Sequence, residues 1–353
     1  MRHLAIDLGG RESQVCIRDS RGEILEESRV FTADLAELLG QQPPSRVLME
    51  TCSESFRVAA WARAKGHEVR IVPASAVRAL GVGSRGLKND VRDAQVLSDV
   101  SSKVNLISVH IPSDLAQERK ARCTAREAMV EARTKLVNTV RSFLRQRVVH
   151  VRCTPETLPA KVRKVLLSSL EGLPSFVEHL LKSVEELTAQ IDEADKELSE
   201  LAQKDETCKR LMTIPGVGPV TATRFVAAID DPTRFRNAEH VCSYLGLTPG
   251  ENTTGFKPKR TGVTKAGSAS VRRTLSQAAW SLWRTRPEDP LVVWAKGVSD
   301  RRGKQKANTA LCRKLAALMF AMWRDKQPYN PKHFAEQQKK KQQQQKQSEA
   351  MPG

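Results

Sequence analysis

The chain has 353 residues, enough for two or three domains, and its 58 Lys plus Arg against 40 Asp plus Glu give a net charge of +18 and a pI near 9.8. Such an excess favours a polyanionic partner, chiefly nucleic acid, and with aromatics at only 5% it favours phosphate contacts over extended base stacking. Seven cysteines lie scattered without any Cys-x-x-Cys pair, which argues against a disulfide framework or a zinc site. No signal peptide or membrane-length apolar run is visible, so a cytoplasmic protein is expected.

Residues 3–8 read as a buried strand running into Gly9 and Gly10. Residues 13–18 alternate and pair with it as a hairpin, and residues 23–30 follow as a third strand after a turn at 19–22. Residues 32–39 are expected to be helical, with Thr32 as N-cap and Gly40 as the stop. A strand at 46–50, a helix at 54–65 ended by Gly66 and a strand at 68–72 ended by Pro73 complete the pattern. Three antiparallel strands followed by alternating helix and strand match the ribonuclease H-like order, though other α/β folds fit it too.

The next stretch, Lys88-Asn-Asp-Val-Arg-Asp-Ala-Gln-Val-Leu-Ser98, begins a helix with Asp90 and Asp93 three apart and therefore on one face. Two like charges side by side need a cation to offset them, and Mg²⁺ takes such carboxylates together with phosphate oxygens. Taken alone, the pair is equally a solvated helix start, where the dipole favours negative charge. Asp7 near the end of the first strand and Glu50 at the end of the fourth shift that balance. In a ribonuclease H-like sheet those strands are neighbours, so the four acids would converge. The chemistry that suits them is metal-assisted attack on a phosphodiester.

The motifs Ala5-Ile-Asp-Leu-Gly-Gly10, Leu48-Met-Glu-Thr51 and Gly86-Leu-Lys-Asn-Asp-Val-Arg-Asp-Ala94 resemble those of the DEDD insertion-sequence transposases, the IS110 group that includes the Piv-type DNA invertases. The resemblance implies a RuvC-like nuclease domain over residues 1–111, with Asp7, Glu50, Asp90 and Asp93 as catalytic acids holding Mg²⁺. It further implies DNA as substrate, a structured bridge RNA that selects target and donor, and a homodimer or homotetramer.

Residues 112–205 read as a helical arm. Its first helix, to about residue 149, is rich in cations (Arg119, Arg122, Arg126 and Arg133 among them), which suits either a solvated face or nucleic-acid contact. A break at 154–160 follows. The second helix carries Val177, Leu180, Val184, Leu187, Ile191, Ala194, Leu198 and Leu201 at a/d spacing, the signature of a coiled-coil seam. In the family this region links two domains and mediates oligomer contacts.

Residues 206–330 form the third expected domain, mainly α. Leu211-Met-Thr-Ile-Pro-Gly-Val-Gly-Pro-Val-Thr-Ala222 resembles a helix-hairpin-helix, in which Gly216 and Gly218 allow a tight turn and the second helix aims its N–H groups at a phosphate. Downstream, Lys257, Lys259, Arg260, Lys265, Arg272 and Arg273 surround a glycine-rich loop and make a good phosphate environment. Leu-Gly-Leu-Thr-Pro (245–249), Thr-Lys-Ala-Gly (264–267) and Val-Arg-Arg (271–273) are similar to the family's C-terminal transposase domain. In that family a loop serine before a glycine attacks the DNA, forming a phosphoserine link in a composite site with the four acids.

Here the serine position holds Thr254, with Thr253 beside it. Threonine keeps the hydroxyl but stiffens χ1 and hinders the oxygen. Three readings stand: Thr254 acts, Ser268 or Ser270 substitutes, or strand transfer is impaired. A last amphipathic helix at 301–324 and a low-complexity Lys/Gln tail at 331–353, expected to be disordered, close the chain. The expectation is a transposase or recombinase. The alternatives are a RuvC-like junction nuclease that uses water, and a catalytically impaired nucleic-acid-binding relative.

Overall fold

A computed structural model of the chain describes residues 1–74, 76, 90–103, 108–168, 172–251, 260–332 and 336, apart from the side chains of 90–93, 102–103 and 260. The chain divides into two compact units, Met1–Pro112 and Ser113–Gly353.

The first unit is built on a five-stranded mixed sheet of order β3-β2-β1-β4-β5, with β1 His3–Asp7, β2 Glu12–Arg18, β3 Ile24–Phe31, β4 Arg46–Glu50 and β5 Glu68–Val72. β1, β2 and β3 are antiparallel neighbours, whereas β4 lies parallel to β1 and β5 parallel to β4. Side chains alternate across a strand, so each strand feeds two cores. Leu4, Ile6, Val15, Ile17, Val47, Met49 and Ile71 pack with α1 (Leu35–Gln41) and α2 (Ser55–Ala64). Ala5, Leu48 and Val72 face the other way and meet Leu97 of α3 (Asp90–Lys103). The expected antiparallel trio and parallel pair are therefore present, as in a ribonuclease H-like domain.

Two local expectations give way. A short 3-10 turn, Thr32–Asp34, precedes α1, and no side chain caps either element. The Thr32 hydroxyl is spent across the sheet, donating to the Gly9 carbonyl at 2.7 Å and lying 2.8 Å from the Ser13 hydroxyl. Nor does Gly40 stop the helix, which runs through it to Gln41.

The second unit is helical. α4 (Asp114–Gln146) and α6 (Ser175–Lys204) form an antiparallel pair, with α5 (Leu158–Leu167) packed beside them. The seam residues Val177, Val184, Ile191 and Leu198 are buried, and the first two meet Val137, Val140 and Leu144 of α4, so within the chain the seam is covered by α4. The cationic face of α4 is in large part a ladder to this neighbour. Arg119 pairs with Asp205, Arg122 with Glu197 at 2.7 Å and Arg126 with Asp195 at 2.8 Å, while Arg133 pairs with Glu156 at 3.0 Å.

Beyond the arm lie α7 (Glu206–Leu211), α8 (Pro219–Ile229), α9 (Ala238–Tyr244), the hairpin β6 (Pro249–Glu251) and β7 (Arg260–Val263), α10 (Ala269–Thr285), α11 (Pro290–Arg302) and α12 (Lys304–Asp325). α8 is buried almost all round, from Thr221 through Ala227 and again at Ile229, and it packs against α4, α6, α7 and α10. A helix buried on every side is a core helix. Arm and C-terminal region thus share one core element. Among the described residues all seven cysteines are free thiols, and no helix is long and apolar enough to cross a membrane.

Candidate active site

In the first unit the acids expected at strand ends lie on adjoining strands. β1 and β4 pair in parallel with Ile6 opposite Met49, so Asp7 and Glu50, one residue further on, end their strands at the same level. By alternation both fall on the face of Ala5 and Leu48, the face covered by α3. Parallel neighbours are about 4.8 Å apart, so two carboxylates placed this way can reach a common ion. Both residues are half-buried.

α3 runs antiparallel to β1. Ser101 Oγ lies 2.8 Å from His3 Nδ1 at the start of the strand, while Leu97 reaches Ala5 in its middle. Eight helical residues back from Ser101 cover about 12 Å, and the four steps from His3 to Asp7 cover about 13 Å. The backbone of Asp93 is therefore level with Asp7, and the first turn of α3 lies beside the ends of β1 and β4. Arg18 Nε donates to Ser98 Oγ at 2.8 Å, and Ser98 Oγ lies 3.3 Å from Cys16 Sγ, fixing the helix axially. The side chains of Asp90 and Asp93 lie outside the described residues. Among the described ones, no group of three or more His, Cys, Asp or Glu is spaced to hold a metal ion.

The donor set decides which ion would fit. Two carboxylates on rigid strand ends offer hard oxygen ligands, which suit Mg²⁺ or Mn²⁺ and not a thiolate-bound zinc. The cysteines do not compete. Burial pushes the Cys208 and Cys312 thiols up to about 12, and the other buried thiols are also raised.

In the second unit two expected motifs turn out to be one piece of backbone. Residues 245–251 and 260–268 run together as the β6–β7 hairpin and its base, joined by Thr264 N–H to the Thr248 carbonyl at 2.9 Å and Lys265 N–H to that of Gly246 at 3.1 Å. A Cβ on Gly246, at φ +67°, would stand 2.6 Å from Ala266 N, and one on Gly267 would lie 2.8 Å from Leu245 C. Only glycine lets the strands approach so closely. Arg272 ties the base shut, its Nη1 donating to the carbonyls of Gly267 at 2.6 Å and Leu245 at 3.1 Å. Residues 252–259, which join β6 to β7 in sequence and include Thr253, Thr254, Lys257 and Lys259, lie outside the described residues, as does the side chain of Arg260.

The two substitute serines have structural partners. Ser268 caps α10 by accepting from Val271 N–H, and Ser270 lies close enough to Glu127 to help lower its carboxyl. Glu127 of α4 is a hub that sequence reasoning missed. It pairs with Arg224 of α8 at 2.5 Å and with Arg273, an expected phosphate ligand, which also reaches Glu131 at 2.5 Å. Arg224 is only 7% exposed and donates to the Cys123 carbonyl at 2.6 Å. Burial alone would raise the Glu127 carboxyl, but the nearby Ser270, the bond from Arg224 and the Arg273 charge hold it below the usual range.

In the expected helix-hairpin-helix, α7 and α8 flank the turn, with Pro219 in the first turn of α8. The two glycines differ. Gly216 has φ +87° and packs on α10, where a Cβ would meet the Ala278 carbonyl oxygen at 2.6 Å. Gly218 opens to space. Lys265 is exposed, at φ +57°.

The mixed sheet with acids ending β1 and β4, followed by a helical unit, is consistent with a ribonuclease H-like DEDD domain joined to a helical region. Two family models match in that order: the DEDD transposase model over residues 4–148, and the IS116/IS110/IS902 family transposase model over residues 208–291. The transposase of element IS1328 from Yersinia enterocolitica is 27% identical over 326 residues, covering 90% of this chain and 96% of its own. The transposase of element IS1111A from Coxiella burnetii is 25% identical, covering 92% and 90%. The pilin gene-inverting protein of Moraxella bovis is 29% identical over 127 residues, about a third of either chain. The chain belongs to the DEDD transposases of the IS110 family, and as an insertion-sequence transposase it is a DNA-cleaving and strand-transferring enzyme.

Proposed function

We propose that cleavage is metal-dependent, that Asp7, Glu50, Asp90 and Asp93 hold Mg²⁺, and that Thr254 is the nucleophile. The observation that carries this reading is the matched ending of β1 and β4 in Asp7 and Glu50, on the sheet face covered by the helix that begins at Asp90. A bound Mg²⁺ would neutralise the scissile phosphate and fix its orientation. Thr254 Oγ1 gives up its proton and forms a bond to phosphorus. The bond to the departing sugar oxygen breaks, and that oxygen leaves as a hydroxyl once it has taken up a proton. Arg272 and the glycines at 246 and 267 hold the base of the loop that carries Thr254, so the hydroxyl is delivered by a clamped hairpin. Ser268 and Ser270 are the weaker candidates because each already has a structural partner.

Gly216, Gly218, Lys257, Lys259, Arg260, Lys265, Arg272 and Arg273 are proposed to line the DNA path, with Gly218 at the mouth of the hairpin turn. The domain limits at 111, 205 and 330, the bridge RNA that selects target and donor, assembly as a homodimer or homotetramer, and a cytoplasmic location belong to the same proposal. The test is capture of a covalent protein–DNA adduct on element-end DNA with Mg²⁺ and RNA transcribed from the element's flanks. Thr254→Ala is expected to lose the adduct and Thr254→Ser to keep it. An adduct that survives Thr254→Ala removes Thr254 from its role, and cleavage without any adduct favours attack by water.

A further inference from the structure

Strand β3, at the edge of the first unit's sheet, is eight residues long and exposed along most of its length. The strand is bulged at Leu25 against β2 and carries Glu26, Glu27 and Arg29, while Ile24, Leu25 and Phe31 stand 43%, 51% and 49% exposed along it. From the order of its side chains we infer that β3 pairs with β3 of a second copy of this chain, antiparallel, with the two-fold axis at Ser28.

The register follows from charge. An antiparallel two-fold pairing keeps facing residues on the same side of the sheet, so the axis must pass through a residue. Centred on Glu27, the pairing sets Glu27 against its own copy; centred on Arg29, it sets Arg29 against its own copy. Centred on Ser28, it sets Glu27 opposite Arg29 twice, within the regular part of the strand that runs from Glu26 to Phe31 beyond the bulge at Leu25. Directly opposed side chains have Cβ atoms about 4.5–5.5 Å apart, within reach of an ion pair.

The existing contacts of the two charges do not prevent this. Glu27 accepts from Gln95 Nε2 at 2.6 Å, and Arg29, 71% exposed, pairs with Glu12 at 2.8 Å. Exposed contacts of that kind are worth little and leave lone pairs and donors for a facing strand. The result would be one continuous sheet across two chains. This inference is independent of the metal-site proposal, because β3 carries none of the four acids.

The test is sedimentation velocity of the full-length chain, wild type beside Glu27→Arg and Arg29→Glu. Each single variant places like charges opposite one another twice, and self-association is expected to weaken at least about tenfold. Mixed in equal amounts, the two variants restore opposite charges at all four positions. The arginine introduced at position 27 of one chain then faces the glutamate introduced at position 29 of the other, and the native Arg29 of the first faces the native Glu27 of the second. The mixture is expected to recover the wild-type assembly, which also shows that both variants are folded. A monomeric wild type, single variants that associate like wild type, or a mixture no heavier than its components would each overturn the pairing.

Discussion

Gly246→Ala is the sharpest single perturbation of the clamped hairpin. The new methyl would sit 2.6 Å from Ala266 N and 2.8 Å from Gly267 N, both backbone atoms that cannot swing aside. Ordinary contact begins near 3.4 Å, so one segment must retreat by about 0.8 Å. A non-glycine residue at φ +67° costs a further ~1–2 kcal/mol, and forcing backbone apart costs ~1–3 kcal/mol, giving roughly 2–5 kcal/mol in all. With a urea dependence of about 2–3 kcal/mol per molar, the second unit's unfolding midpoint should fall by about 1–2 M. Tryptophan fluorescence reports this unit selectively, because Trp280, Trp283, Trp294 and Trp323 lie in it and only Trp61 lies in the other. A displacement approaching 1 Å at the base of the loop proposed to carry the nucleophile is also expected to slow strand cleavage by about 10²-fold. Gly262→Ala, in the same hairpin with nothing within 4 Å, is the control and should change neither quantity. If Gly246→Ala matches Gly262→Ala in both assays, the close approach of the two segments is not what holds the loop.

Two further predictions concern the Glu127 hub. Glu127→Gln leaves the Arg224 guanidinium, 7% exposed, without its carboxylate and should cost about 3–5 kcal/mol by the same fluorescence assay, whereas Arg273→Gln, half exposed, should cost under about 1 kcal/mol. The pH dependence has a definite sign. Glu127 and Asp205 are held below their usual range in the folded chain, Asp205 against the opposing effect of burial by the Cys208 N–H and Arg119. The stability they contribute is therefore present above the unfolded carboxyl range and lost as pH falls through the depressed folded values. Urea midpoints should be flat above about pH 5 and fall below it, and in Glu127→Gln the fall should be shallower.

What the sequence discloses depends on how local the physics is. Asp7 and Glu50 are legible because each ends a short apolar run, and the strand order that makes the runs neighbours follows from the alternation of strand and helix. The seam of α6 is legible for the same reason, since its heptad spacing is set by its own helix. Thr32 misleads because a threonine before an apolar run reads as a cap, while its hydroxyl is taken by Gly9, 23 residues away. The arginines of α4 read equally as a nucleic-acid face or a solvated one. Their partners Glu197, Asp195 and Asp205 lie some 70 to 86 residues further on, and nothing in a local charge pattern points there. Gly246 and Gly267 are visible only as motif letters. That they touch, and that Arg272 locks them, is a property of the closed hairpin.

The role proposed for the acids ending β1 and β4 is to hold the metal ion at which DNA is cut, and that role rests on their charge, which Asp7→Asn probes. This change removes one charge and keeps the side chain's shape. Measured as Mg²⁺-dependent nicking of element-end DNA beside a DNA-binding assay of the same preparation, Asp7→Asn should reduce cleavage by about 10³-fold or more, on the order of the loss of a metal ligand's role in phosphate stabilisation, and leave binding within about twofold. Cleavage at the wild-type rate by a folded, DNA-binding Asp7→Asn chain would contradict it.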